Sequence, residues 1–466
     1  MKRALALVGF LFTLVPGQTF DHVTVTVDSF VSDLAPLITF LEDSLGYEDT
    51  TVTIEVIAGG YPGRDTQERL RNFIRYAYQN WGTTHVLLAG DDDILPCRRG
   101  WVDASHILQP LKDTIPTDLY FSDLDGDWDR DGDNIFGEPE DSCDFYPDVH
   151  VARMPASYAP SIELFVGKFL TYCGNPQAPY LGDILLAGFD DRNNDPPVIG
   201  EQTMEFYDSS YVPQAMRPCN KVYDSHTGNH REDVLDALNR GQHIFIHWDH
   251  GDTNAYGCGW DNHNWAIDHE DVFWLMNAPE YSLFISVGCL TGHFDGMDCI
   301  LEFALGAPNG GAVAGIGNSR CGVVDARNPQ RAFGALMVEG FVRPLFGHQG
   351  PARLDDFSLS RAEVAPLADT NLIYRWSLYC MNLMGDAAMP VWVPSSSAVE
   401  ETVGGGWKRE ELRVPTVLRG PELARMDVRV TDIQGRDVTG RRHRLAPGVY
   451  FVRSIRTGAG RKVVIQ

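Results

Sequence analysis

The sequence predicts an α/β fold: an open, mostly parallel sheet flanked by helices, followed by a small C-terminal β-sandwich. Three observations carry this reading. Apolar runs of strand length alternate with segments of helical periodicity, the pattern of a parallel sheet with helices on both faces. Several of those runs stop abruptly at glycines and acids, as strands do where they leave a sheet. The charge also changes sign along the chain: from Gly405 to Gln466 there are 14 Lys and Arg against 6 Asp and Glu, while the 466 residues together carry a formal charge of -26.

The elements follow in order. Met1 to about Phe20 reads as a secretory signal, with Lys2 and Arg3 before an apolar core from Ala4 to Val15 and a break at Pro16-Gly17. His22 to Val27 is a strand, Leu34 to Leu45 a helix, and Val52 to Ile57 a second strand, by its alternation. Thr66 to Gln79 repeats apolar residues at helical spacing (Leu70, Phe73, Ile74, Tyr76, Ala77). His85 to Gly90 is a buried strand running into Asp91-Asp92-Asp93. A polar insertion covers Asp123 to Asp148, a helix Ser161 to Tyr172, and a strand Asp183 to Asp190. Arg231 to Asn239 is helical, Gly311 to Gly317 another buried strand, and Ala387 to Val393 the last element of this body. The predicted organisation is a signal at 1–20, an N-terminal α/β subdomain at 21–180, a second at 181–394, a linker at 395–411 and a β-sandwich at 412–466. The sandwich rests on short alternating strands around Val428-Arg429-Val430-Thr431, Gly448 to Arg453 and Lys462 to Ile465.

Bulk properties exclude some functions. A strongly acidic chain is a poor partner for nucleic acid. No segment after the N-terminus is long and apolar enough to span a bilayer, so the mature chain is expected to lack a transmembrane segment. Nothing points to an organic cofactor. Nine cysteines leave at least one unpaired, and in an exported protein the other eight could form up to four disulfides. The absence of a Cys-x-x-Cys pair argues against a cysteine zinc site.

Two strand ends carry the candidate chemistry. Ile244-Phe245-Ile246-His247-Trp248 runs into Asp249-His250-Gly251, and Leu283-Phe284-Ile285-Ser286-Val287 runs into Gly288-Cys289. If these are neighbouring parallel strands, a thiol and an imidazole meet at the C-terminal edge of the sheet, where open α/β sheets place their sites. Cys289 is then a nucleophile and His250 its general base. The amides of Gly251 and Cys289 make a two-donor oxyanion hole, with no Cβ at Gly251 to block substrate. The competing reading of Cys289 is a buried core thiol. His247, His250 and His263 make a weak zinc set, because i and i+3 on a strand face opposite ways.

Asp127-Trp128-Asp129-Arg130-Asp131-Gly132-Asp133-Asn134-Ile135-Phe136-Gly137-Glu138 fits D-x-D-x-D-G-x5-E. That spacing predicts a structural Ca²⁺ held by Asp127, Asp129, Asp131, Asp133 and Glu138. A solvated acidic loop is the alternative.

The segment Ile285-Ser286-Val287-Gly288-Cys289-Leu290-Thr291-Gly292-His293-Phe294-Asp295, with Glu302 and Gly310 to Ala314, resembles the nucleophile region of the gingipain-type cysteine peptidases, relatives of caspases and legumains. His250-Gly251 resembles their His-Gly pair. Gly90 to Pro96 resembles their GDxDxxP strand end, Pro147 to Pro155 their PDxxxGRxP with Ala152 in place of the glycine, and Gly385-Asp386 the close of their catalytic region. The resemblance runs in order from about residue 22 to 393. It implies a caspase-like sheet, a cysteine endopeptidase acting on protein or peptide substrates, and an acid that orients the histidine, best matched by Asp190 with Asp191 beside it. Glu201, Glu205 and Asp325 are the acids available for a specificity pocket. The C-terminal segment resembles the secretion-sorting β-sandwich of exported bacterial proteins, which implies secretion machinery as a partner and a secreted or cell-surface location. The rival from another class is a catalytically silent, calcium-stabilised surface or adhesion protein on the same fold.

Overall fold

The structure is a computed structural model. It describes residues 19–108, 111–189, 199–259, 266–325, 327–347 and 352–394, together with 417–418, 428–432, 439, 448–454 and 460–465. The expected signal core and the linker at 395–411 lie outside the described residues.

Ten strands form one sheet. In chain order they are β1 (His22–Thr26), β2 (Asp49–Thr53), β3 (His85–Ala89), β4 (His150–Met154), β5 (Ile184–Gly188), β6 (Asn220–Tyr223), β7 (Ile244–Trp248), β8 (Ser282–Ser286), β9 (Ala312–Asn318) and β10 (Met381–Met384). Their spatial order is β2-β1-β3-β4-β10-β9-β8-β7-β5-β6. The pairings are parallel except for β9 with β10. The sheet is therefore mostly parallel, as the alternation of elements predicts.

Both faces are buried. Ile184, Leu186, Ile244, Ile246, Leu283 and Ile285 enter one hydrophobic cluster, and the intervening Leu185, Phe245 and Phe284 enter another. Successive side chains of a strand point to opposite faces, so two-sided burial produces the unbroken apolar runs seen in the sequence. The helix Thr66–Trp81 starts where Asp65 accepts the Glu68 N–H and stops at Gly82, φ 79°. It buries Leu70, Phe73, Ile74 and Ala77 of its predicted apolar positions, with Trp81 in addition, while Tyr76 is only partly buried.

Some expectations are corrected. Val52 to Ile57 is not one strand: β2 ends at Thr53, and Ile54–Gly60 is helical. The register Thr26↔Thr53 uses up the last residue of β1, so the pairing has no continuation. The chain then turns helical and buries Ile54 and Ile57, three apart. The last sheet strand is Met381–Met384, upstream of the predicted final element, which supplies only Pro390–Val391. All nine cysteines are free thiols, so none of the disulfides that their number allows is formed. The described C-terminal strands, Val417–Leu418, Val428–Asp432, Gly448–Ser454 and Gly460–Ile465, pair in one four-stranded sheet. No helix among the described residues is long and apolar enough to cross a membrane.

The arginine of the PDxxxARMP segment is a staple. Arg153 is buried in β4 and forks onto Asp118 (Nε–Oδ2 2.8 Å, Nη2–Oδ1 2.7 Å), while its Nη1 donates to the carbonyls of Gly90 and Leu95, both at 2.8 Å. The motif thus ties β4 to the turn after β3. Asp118→Ala should cost about 3–5 kcal/mol, because it leaves a guanidinium buried without its carboxylate. Urea unfolding measures this, and a loss below about 1 kcal/mol would mean that the surrounding carbonyls suffice.

Candidate functional site

The two strands that carry the histidine and the cysteine are parallel neighbours, with Ile246 opposite Ile285 and His247 opposite Ser286. Their C-terminal ends open on one edge of the sheet, as predicted. Beyond them the two turns touch through their backbones. A Cβ on Gly251 would lie 2.7 Å from the Cys289 carbonyl oxygen, 2.6 Å from Thr291 Cγ2 and 3.2 Å from the Cys289 nitrogen. One on Gly288 would lie 3.2 Å from the Gly251 nitrogen and Cα. Only glycine at 251 lets the histidine turn sit this close to the cysteine turn.

The histidine turn is braced from below. Asp249 accepts the His250 N–H at 2.6 Å through Oδ1 and the Gly259 N–H at 2.7 Å through Oδ2. The His250 carbonyl accepts the Gly257 N–H at 2.9 Å. His250 itself is exposed at the rim. His247 is buried and saturated. Its Nε2–H donates to the Gly257 carbonyl at 2.8 Å, and its Nδ1 accepts from the Ser286 hydroxyl at 2.9 Å. That hydroxyl in turn accepts the Gly288 N–H at 3.0 Å. Burial lowers the His247 pKa to about 4, so the ring is neutral and serves as a brace between β7, β8 and the histidine turn. His263 lies outside the described residues.

The cysteine turn is clamped from β9. Asn318 Nδ2 donates to the carbonyls of Val287 and Gly288 at 3.0 and 3.1 Å, and the Arg320 carbonyl accepts the Leu290 N–H at 2.9 Å. Leu290, directly after Cys289, has φ 58°, a left-handed conformation that a leucine adopts only when its surroundings impose it. The nucleophile candidate thus stands on a sharp, held turn.

Cys289 is half-buried and does not stand alone. Its Sγ lies 3.7 Å from the Gly322 carbonyl oxygen and shares a hydrogen bond with the thiol of Cys321. Behind them Cys380 Sγ sits 3.9 Å from the Cys321 carbonyl. The two front thiols titrate as a pair. The S–H of Cys289 donated to Cys321 brings the Cys321 pKa down to about 7; the same bond, and then burial, hold the Cys289 proton well above the ordinary thiol range. The bond thus favours the thiolate at Cys321 over Cys289. Sequence reasoning missed Asn318 and Cys321, since neither lies in a motif and only the fold brings the end of β9 to the cysteine turn.

An ion-pair network forms one wall. Asp295 takes a bidentate fork from Arg320 (2.7 and 2.9 Å), a further bond from Arg99 at 3.0 Å, and His293 Nε2 at 3.3 Å. Arg99 also reaches Asp92 of the GDDDILP turn at 3.3 Å, which connects that motif to the site. Asp190 and Asp191 fall outside the described residues. Of the acids considered for a specificity pocket, Glu205 is held by Lys221 (2.6 Å) and Tyr223 (2.9 Å), and Asp325 by Arg327 (2.8 Å).

The acidic loop gathers three of its five expected ligands. Carboxylate oxygens of Asp129, Asp131 and Asp133 lie within 4.8 Å of one another. Gly132 has φ 79°, which makes the turn between them. Burial, then the charges of Asp133, Glu140 and Asp131, raise the Glu138 pKa, so Glu138 feels the same cluster. Asp127 stands at the mouth of the loop, bridged to Ser142, and its Oδ1 accepts the Asp129 N–H at 3.3 Å. A residue that the motif does not show also takes part: the Arg64 guanidinium pairs with Asp129 and reaches Asn134 Oδ1 at 3.3 Å.

Comparison with known proteins fits this arrangement. The model of Peptidase family C25 matches residues 15–392. No curated protein matches the chain. Among solved structures, one titled only as the structure of a protease superposes with a TM-score of 0.62 at 16% identity, covering 95% of this chain and 97% of that one. The Arg-specific cysteine proteinase gingipain R (RgpB) gives 0.60 at 14% identity, over 97% and 100%. The complex of the RgpB pro- and mature domains from Porphyromonas gingivalis gives 0.58 at 14%, over 96% and 100%. These likenesses show the fold, and the family match spans most of the sequence. The chain belongs to peptidase family C25, the gingipain family of cysteine peptidases.

Proposed function

We propose that this protein is a secreted cysteine endopeptidase working through Cys289 and His250. The observation that carries the reading is the backbone contact of Gly251 with the Cys289 turn, at the C-terminal ends of adjacent parallel strands. In the proposed reaction His250 takes the Cys289 proton, and the thiolate attacks the scissile carbonyl. The oxyanion is held by the N–H groups of Gly251 and Cys289. His250 returns the proton to the leaving amine, and a thioester remains. Water, losing a proton to His250, hydrolyses the thioester and frees the acid and the thiol. Asp190 is the proposed orienting acid, and its removal should cost less than loss of either partner.

The shared proton of Cys289 and Cys321 gives the pair a test. Small alkylating agents read thiolate and access, so iodoacetamide is expected on both residues. A substrate-like affinity label reads position as well, and should land on Cys289 alone. Secretion through the C-terminal segment is part of the same proposal, tested by deleting 412–466 and following export.

The loop at 127–138 is proposed to hold a structural Ca²⁺ through Asp129, Asp131, Asp133 and Glu138, with Asp127 at its mouth. Three clustered carboxylates, Asp129, Asp131 and Asp133, against one guanidinium, Arg64, fit a hard divalent cation. A site kept at 100 times its Kd adds about 2.7 kcal/mol to stability. Chelation should therefore lower the Tm, calcium should restore it, and zinc should not, because the loop offers only oxygen ligands. Asp129→Ala with Asp131→Ala should abolish the calcium-dependent shift. A melting curve indifferent to chelator and calcium would remove the site.

A further inference from the structure

The N-terminal edge of the sheet, opposite the cysteine, carries a row of histidines. His22, His85 and His150 are the first residues of β1, β3 and β4, and they stand in register, His22 beside His85 and His85 beside His150. In-register neighbours of a parallel sheet project to the same face, so the three rings are brought together by strand pairing alone. The ring centroids of His22 and His85 are 6.4 Å apart, those of His85 and His150 4.9 Å.

The row divides chemically. His22 is buried between two carboxylates, with Nδ1 on Asp49 at 2.8 Å and Nε2 on Asp386 at 3.3 Å. Burial opposes its charge, but Asp386 and Asp49 outweigh it and raise its pKa to about 10. His22 is an imidazolium with both nitrogens used, and the Gly385-Asp386 motif supplies one partner.

His85 and His150 instead converge on Asp355, from the turn before the helix Asp356–Val364. Their ligand atoms, one from each residue, all lie within 4.8 Å of one another. His85 Nδ1 is 2.9 Å from Thr84 Oγ1, whose own proton goes to the Asp21 carbonyl at 3.2 Å. That network assigns the ring proton to Nδ1 and turns the Nε2 lone pair toward Asp355 Oδ2, 3.2 Å away. A lone pair facing a carboxylate needs a cation between them, either a proton or a metal ion. A tetrahedral zinc with bonds of about 2.0–2.1 Å separates its ligand atoms by roughly 3.3 Å, close to the 3.2 Å between His85 Nε2 and Asp355 Oδ2. The hydroxyl on Nδ1 is the kind of outer partner that orients a metal-bound histidine. Arg353 is the competing cation, and Tyr47 OH holds its Nη1 at 3.0 Å.

We propose that His85, His150 and Asp355 form a second metal site, for a borderline divalent ion of the zinc class, with water completing the coordination. It would tie β3 and β4 to the segment that leads into the helix Asp356–Val364. Two imidazoles and one carboxylate suit zinc or cobalt, and calcium poorly.

The test uses the full chain as its Cys289→Ala variant, stripped of metal and titrated with cobalt(II) and zinc(II). The expected result is one cobalt per chain with a tetrahedral visible spectrum and no thiolate charge-transfer band, displaced by zinc. His150→Gln and Asp355→Asn, at the two more exposed positions, should each weaken binding at least tenfold, and Asp129→Ala with Asp131→Ala should leave it unchanged. Circular dichroism checks that the variants fold. If only one variant folds, its affinity alone decides. No tetrahedral spectrum, a thiolate band, or equal affinity in folded variants would each overturn the site and establish His85 as an imidazolium paired with Asp355.

Discussion

Cys289→Ala should remove peptide hydrolysis and leave the melting temperature close to that of the parent. The loss expected is on the order of 10⁶-fold in kcat, the scale reached when a covalent nucleophile is deleted. The fold should tolerate the change because Cys289 is half-buried on a turn held by backbone groups, Asn318 and the Arg320 carbonyl. The informative control is Cys321→Ser. Cys321 lies beside Cys289 and takes the lower pKa of the pair, so thiolate character alone would favour it as nucleophile. Position favours Cys289, whose backbone meets Gly251. Cys321→Ser should therefore keep most of the turnover and move the alkaline side of the pH profile. Peptidase assays of the two variants side by side decide between the sulfurs.

His250→Ala should lower kcat by about 10²–10⁴-fold, the usual contribution of a positioned acid–base group. In the proposed mechanism both the activation of the thiol and the protonation of the leaving amine run through it. His247→Ala should behave differently. It strips partners from the Ser286 hydroxyl and the Gly257 carbonyl, a cost of about 1–3 kcal/mol in stability. Its kinetic effect should follow only from loosening of the turn. Reversal of this pattern, with chemistry lost in the His247 variant and stability lost in the His250 variant, would exchange the roles of the two histidines.

The central half of the sheet was legible because strands buried on both faces leave unbroken apolar runs such as Ile184 to Ala187. The glycines at 251 and 288 were legible for a related reason, since close backbone approach demands them. The strand predicted at Val52 to Ile57 failed because its alternation outlasts its pairing partner, which ends at Thr26. The helices Gly334–Gly347, Asp356–Val364 and Leu372–Cys380 were unread, as was β10. Leu372–Cys380 runs directly into Met381–Met384 with no glycine or proline to mark the boundary. At the candidate site, the sequence reading named residues within one turn of a motif and not those delivered from other strands. Cys321 and Asn318 reach the cysteine turn only through the pairing of β8 with β9. Arg64 reaches the acidic loop from 65 residues away from Asp129. The His85–His150–Asp355 cluster exists only because two strands start in register.

The measurement that tests the account most directly is the location of the covalent intermediate. A peptidyl affinity label is reacted with the parent chain, which is then digested and mapped by mass spectrometry. The account predicts one label per chain, on the peptide containing Cys289. It also predicts full labelling of Cys321→Ser, none of Cys289→Ala, and slowed labelling of His250→Ala. A label on Cys321 in the parent, with hydrolysis persisting in Cys289→Ala, would contradict it.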